Sequence, residues 1–206
     1  MGAPDPARWI DPLMQHLGVD YRVSLLRAAA FHGSAHQAAM VFQVIVPKQI
    51  SEIEIGRQRV RFLYQAPDLF KATNRPEWLA SLKTDAGYAK VAGVELTLLD
   101  MCRYFHQAGG INAAAQVVQD IGQNARSRIL AEAAKSFENS VARRLGYLLE
   151  RFGHERQAKA LLHFAEKAKS FKPLNPAVKS LAAFETAQEK NPKWKLVINA
   201  PVETDE

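Results

Sequence analysis

The stretch from Tyr21 to Lys48, YRVSLLRAAAFHGSAHQAAMVFQVIVPK, constrains the fold more than any other part of the chain. It opens with helical spacing: Leu25, Leu26 and Ala29 share one stripe, and Arg22 and Arg27 are expected on the opposite side. Gly33 and Ser34 then break the helical pattern. Val41-Phe42-Gln43-Val44-Ile45-Val46 follows, an apolar, β-branched run ended by Pro47. A run apolar at nearly every position predicts a strand covered on both faces. Helix, polar corner and buried strand together make a scaffold for the flanking elements.

The corner, His-Gly-Ser-Ala-His-Gln, has three chemical readings. His32 and His36 stand four apart, as a metal-binding pair on one helix face would. Gly33 and Ser34 intervene, and neither a Cys nor a third His follows nearby, so the expectation is a tied-down turn without metal. A Gly-Ser pair before a strand is also how nucleotidyltransferases begin, but their cation needs two carboxylates on that strand. Positions 41–44 are Val, Phe, Gln and Val, which excludes that chemistry. Ser34 with either histidine lacks the strand–turn–helix elbow of a hydrolase. Glu95 and Asp100 are five apart on a predicted helix, nearly on opposite faces, and do not converge. No catalytic, cofactor-binding or metal-binding residue is expected, and the chain reads as non-enzymatic.

Charge is unevenly placed. The net charge is +6, and the segment from Arg151 to Lys195, with ten Lys or Arg against four Glu, carries all of it. Such a tract is a footprint for nucleic acid or an acidic protein, or else a solvated helix face with a tethered tail. No apolar run approaches the ~18–20 residues of a membrane span, and the N-terminus is not a signal peptide. The single Cys102 excludes an internal disulfide and falls on an apolar stripe as a small core residue. These features predict a cytoplasmic globular protein.

Along the chain, Asp11-Pro12 has the order of a cap and a first-turn proline, and Gly18 closes that helix. Ile53 and Ile55, a Gly56-Arg57 turn, and Val60, Phe62 and Tyr64 predict a hairpin. Glu52 and Glu54 face Arg59 and Arg61 across it, although those arginines could also touch phosphate. A second hairpin runs from Leu79 through Asp85-Ala86-Gly87 to Val91. Helical stripes follow from Gly93 onward, and Trp194 to Ile198 alternates as a last strand. The fold class is α+β: N-terminal helices with a small, mostly antiparallel sheet of about five strands, then a bundle of four to five helices, then a C-terminal strand returning to the sheet. The expected parts are a helix-plus-sheet subdomain over 1–92, a helical subdomain over 93–190, and a closing strand and tail over 191–206, integrated as one domain.

Five segments in order, YRVSLLRAAAFHGSAHQAAMVFQVIVPK (21–48), GRQRVRFLY (56–64), VELTLLDMCRYFHQAGG (94–110), VARRLGYLLERFG (141–153) and NPKWKLVINAPVE (191–203), resemble the AbiEi antitoxin family of type IV toxin–antitoxin (abortive-infection) systems. The resemblance implies a transcriptional regulator that represses its own operon and counters a nucleotidyltransferase-like toxin without forming a lasting complex with it. Members usually place a winged helix-turn-helix before the C-terminal domain. Nothing before Asp11 matches that module, so the chain resembles the C-terminal domain alone, with homodimer contacts as one of its expected roles. The surface expected to meet duplex DNA or a protein partner comprises Arg143, Arg144, Arg151, Arg156, Lys159, Lys167 and Lys169, of which Arg143 and Arg144 match the family's VARRLGYLLE segment. A protein-interaction module without a DNA role is the alternative.

Overall fold

The computed structural model describes residues 4–34, 41–178 and 189–204. The chain divides into two compact units, Met1–Thr97 and Leu98–Glu206.

The first unit is built on a six-stranded mixed sheet. Its elements are α1 (Ile10–Leu17), β1 (Arg22–Val23), α2 (Leu25–Phe31), β2 (Val41–Val46), β3 (Ile53–Ile55), β4 (Gln58–Tyr64), α3 (Pro67–Thr73), β5 (Leu79–Thr84) and β6 (Gly87–Ala92). The strand order is β3-β4-β2-β1-β6-β5. Both expected hairpins form, β3–β4 and β5–β6, and β1 pairs antiparallel with β2. The two remaining pairings, β2–β4 and β1–β6, are parallel. β2 therefore lies inside the sheet, buried from Phe42 to Val46, as its unbroken apolar run predicts. On the exposed hairpin Arg59 bonds Glu54 at 2.9 Å and Arg61 bonds Glu52 at 2.8 Å, the cross-strand pairing expected there.

Arg22 overturns the expected start of α2. It lies on β1 and is fully buried. Its Nη1 donates to Thr73 Oγ1 at 3.3 Å and its Nη2 to Gln65 Oε1 at 3.2 Å, with the guanidinium 5.6 Å from the Phe70 ring centroid. The helix begins three residues later, at Leu25, whose φ of 55° turns the chain from strand to helix in one step. In the corner that follows, His32 Nε2 bonds the Ala92 carbonyl at 2.7 Å, a backbone tie, and Ser34 is buried. His36 lies outside the described residues. The first helix also starts earlier than its sequence suggests. Trp9 is its N-cap, while Asp11 sits in the first turn and accepts the Tyr21 hydroxyl at 2.7 Å.

The division between units falls within α4 (Val94–Tyr104). Glu95, Thr97 and Asp100 on this helix are all buried, and the Thr97 hydroxyl donates to the Ala92 carbonyl. The second unit continues with α5 (Gly110–Ile121), α6 (Ser127–Ala134), α7 (Asn139–Arg151) and α8 (Glu155–Glu166), then β7 (Lys172–Pro173), β8 (Glu189–Asn191) and β9 (Leu196–Ile198). The C-terminal strand is present, but its partners differ from those expected. β9 pairs parallel with β7 and antiparallel with β8, in a separate three-stranded sheet.

Cys102 is 1% exposed, and burial pushes its thiol up to about 12, against a smaller opposing pull from Arg144. It should therefore resist iodoacetamide at pH 8 in the native protein and be alkylated promptly in denaturant. Rapid native labelling, read by mass spectrometry, would show that this core opens freely.

Candidate nucleic-acid and partner surface

α7 and α8 are joined by Phe152-Gly153-His154, with Gly153 at φ 78°, a left-handed turn that glycine adopts without steric cost. α7 is buried over most of its circumference, from Val141 to Gly146 and again at Leu148 and Leu149. That burial takes in Arg143 and Arg144, 3% and 8% exposed. Arg143 Nη1 donates to the carbonyls of Ser170 and Lys195, both at 3.0 Å, and Arg144 Nε donates to Pro173 O at 3.2 Å. The two arginines fasten α7 to the ends of the small sheet. Desolvation holds both guanidinium pKa values below the usual arginine range. Both are thus largely internal ties, which corrects their expected place on an open surface, and Arg144 also lines a cleft.

The other five expected residues are exposed. Arg151 Nη2 donates to the Val202 carbonyl at 3.1 Å and so is engaged with the C-terminal segment. On α8 the apolar side, Ala158, Leu161 and Ala165, is buried together with Gln157, which donates to the Gln123 and Ala125 carbonyls. Arg156, Lys159, His163 and Lys167 follow one another at spacings of three, four and four. At 3.6 residues per turn these spacings form one stripe opposite the buried side. The side chains of Arg156, Lys159, Lys167 and Lys169 make no hydrogen bond or ion pair among the described residues. Four cations without internal partners on and just beyond one helix can neutralise a row of phosphates or carboxylates.

Elsewhere in the basic tract two lysines are engaged internally. Lys195 Nζ donates to the Ala168 carbonyl at 2.6 Å, and Lys193 pairs with Glu150, which also accepts from Trp194 Nε1. Lys193 and Lys159 lie on the same cleft of about 410 Å³, lined also by Glu150, Glu155, Leu162 and Trp194. Burial disfavours the charged form of Glu150, but bonds from Lys193 and Trp194 hold its carboxyl below the usual range. This cluster went unread in the sequence, because nothing local pairs position 150 with 193 and 194. Lys179 and Glu185 of the tract lie outside the described residues. Among the described residues no three His, Cys, Asp or Glu gather as a metal site, and no helix is long and apolar enough to cross a membrane.

Residues 22–151 match the family model of the AbiEi antitoxin C-terminal domain. Among solved structures, the RV2827C protein from Mycobacterium tuberculosis is similar with a TM-score of 0.61 and 15% identity, over 95% of this chain and 68% of that one. At that identity the likeness is one of fold. No curated protein matches the chain.

Proposed function

The chain belongs to the AbiEi antitoxin C-terminal domain family, a regulatory kind of protein that opposes a toxin, and we propose that it does so as a type IV antitoxin that also touches duplex DNA through the α8 stripe. On this reading the opposed toxin is nucleotidyltransferase-like and the DNA is the operator of the protein's own operon. The observation that carries the DNA half is the row of Arg156, Lys159 and Lys167, exposed and without internal partners on the side of α8 opposite its core. Lys169 extends the row, and Arg151 lies one turn before α8 begins.

Cations of this kind meet backbone phosphates, which supply affinity and register but no sequence information. Binding should be weak, tolerant of sequence and steeply salt-dependent. Each phosphate contact contributes roughly −0.9 to the slope of log K against log salt. Fluorescence anisotropy on a short duplex should therefore show the R156Q/K159Q/K167Q variant losing roughly 3 units of that slope. An unchanged slope in the triple variant would exclude the α8 stripe as the DNA contact.

A protein-interaction module is the second reading. It is favoured by the cleft beside Lys159, where Glu150, Glu155 and Lys193 bring both signs of charge against Leu162. Such a lining suits a polypeptide better than a phosphate row. Salt-sensitive capture of the cognate toxin, with no shift of duplex DNA, would select this reading.

A further inference from the structure

A second cleft, of about 380 Å³, opens where the C-terminal end of α4 and the first turn of α7 line it together. Its walls carry Arg103, Tyr104, His106, Glu138, Ser140 and Arg144, and it shares no residue with the α8 stripe. Two of these are arginines, and their situations differ. Arg103 forks onto Glu138, with Nη2 at 2.7 Å from one carboxylate oxygen and Nε at 2.9 Å from the other. Among the described residues Arg144 forms no ion pair with a carboxylate, and Glu138 acts on it only through space. Beyond its bond to Pro173 O, its Nη1 reaches only Ser140 Oγ, at a marginal 3.5 Å.

An arginine more than nine-tenths buried whose guanidinium is bonded to no carboxylate among the described residues is a costly arrangement. Glu138 bonds Arg103 directly and acts on Arg144 only through space. Its carboxyl is held below the usual range first by the Arg103 bond, against burial, and it is half exposed while Arg103 is mostly covered. The cleft sets two arginines against one carboxylate. Ser140 stands in the first turn of α7, where the helix presents its positive end. The space falls within the range of small-molecule sites and is larger than one internal carboxylate needs.

We propose that this cleft binds a phosphate monoester of about nucleotide size, whose dianionic head bridges Arg103 and Arg144 and displaces Glu138 from Arg103. A terminal monoester fits this concave, doubly cationic site better than a diester, which carries one charge and continues in both directions. Planar guanidinium forks suit such oxyanions. Glu138 then acts as a built-in competitor that keeps Arg103 oriented while the site is empty.

The test uses the full chain at constant ionic strength, titrated with inorganic phosphate and with adenosine 5′-monophosphate. Binding is followed by calorimetry and by the arginine Nε–Hε NMR signals, with chloride as the control. Saturable binding that moves the Arg103 and Arg144 signals is expected. Glu138→Gln should tighten it several-fold, and Arg103→Gln should weaken it by about tenfold or more. Glu155→Gln, outside the cleft, should leave it unchanged. Tighter binding of the nucleotide than of phosphate supports the full proposal. Equal binding of the two would overturn the nucleotide-sized part. No binding to wild type or to Glu138→Gln, or the same affinity in Arg103→Gln with the fold intact by circular dichroism, would overturn the site itself.

Discussion

Trp194→Ala is expected to destabilise the protein by ~3–5 kcal/mol, the range for removing a fully buried aromatic ring. Trp194 has no exposed surface, lies between β8 and β9, and donates its indole N–H to Glu150 on α7. One side chain thus joins the small sheet to the helix it packs on. The ring is accommodated because position 146 is glycine. A Cβ at Gly146 would overlap the ring itself, a rigid group with nowhere to move. Gly146→Ala should therefore cost ~1–3 kcal/mol through overpacking. The two substitutions cannot be additive, because each one's damage depends on the other's side chain. In the double variant the new methyl enters the space the indole leaves, so it should be no less stable than Trp194→Ala alone. Chemical denaturation of all four proteins gives the cycle. Additive losses would mean that Trp194 does not pack on Gly146.

How much of this was legible from sequence follows from the range over which each feature is specified. β2 and the two hairpins were readable because alternation, apolar runs and turn residues are local signals. β1 was not, since two residues cannot display a period and its identity comes only from strands at 44–45 and 91. Arg22 was consequently placed on the outside of a helix when it is in the core. Arg143 and Arg144 were misplaced for a related reason. Charge is a good marker of the solvent side only when a helix has one, and α7 is covered on nearly all sides. The strand at the C-terminus was visible, but its partners depend on β7, only two residues long, and so on nothing the alternation at 194–198 could reveal. The α8 stripe was the most legible part of the candidate surface. Its cations recur with the helical period, and the structure was needed only to separate them from Arg143, Arg144, Lys193 and Lys195, which are bonded internally.

Arg22→Met should cost roughly 3 kcal/mol or more, because at least two hydrogen bonds from a charged donor, each worth about 1.5–3 kcal/mol, are lost at once. Methionine fills comparable volume, so little of the loss comes from a cavity. The hydrogen bond of Thr73 Oγ1 to Gln65 Oε1, at 3.0 Å, survives the substitution. What disappears is the joint hold of one guanidinium on Thr73 at the end of α3 and on Gln65 just after β4. Arg22→Lys makes the sharper comparison. It keeps the charge but replaces a planar fork, one nitrogen matched to each acceptor, with a single ammonium nitrogen that must share both. If bidentate geometry is what matters, lysine should recover little of the loss and bring the added cost of a poorly bonded buried cation. A lysine variant as stable as wild type in urea titration would mean that charge alone, and not the fork, holds α3 and β4 to the middle of the sheet.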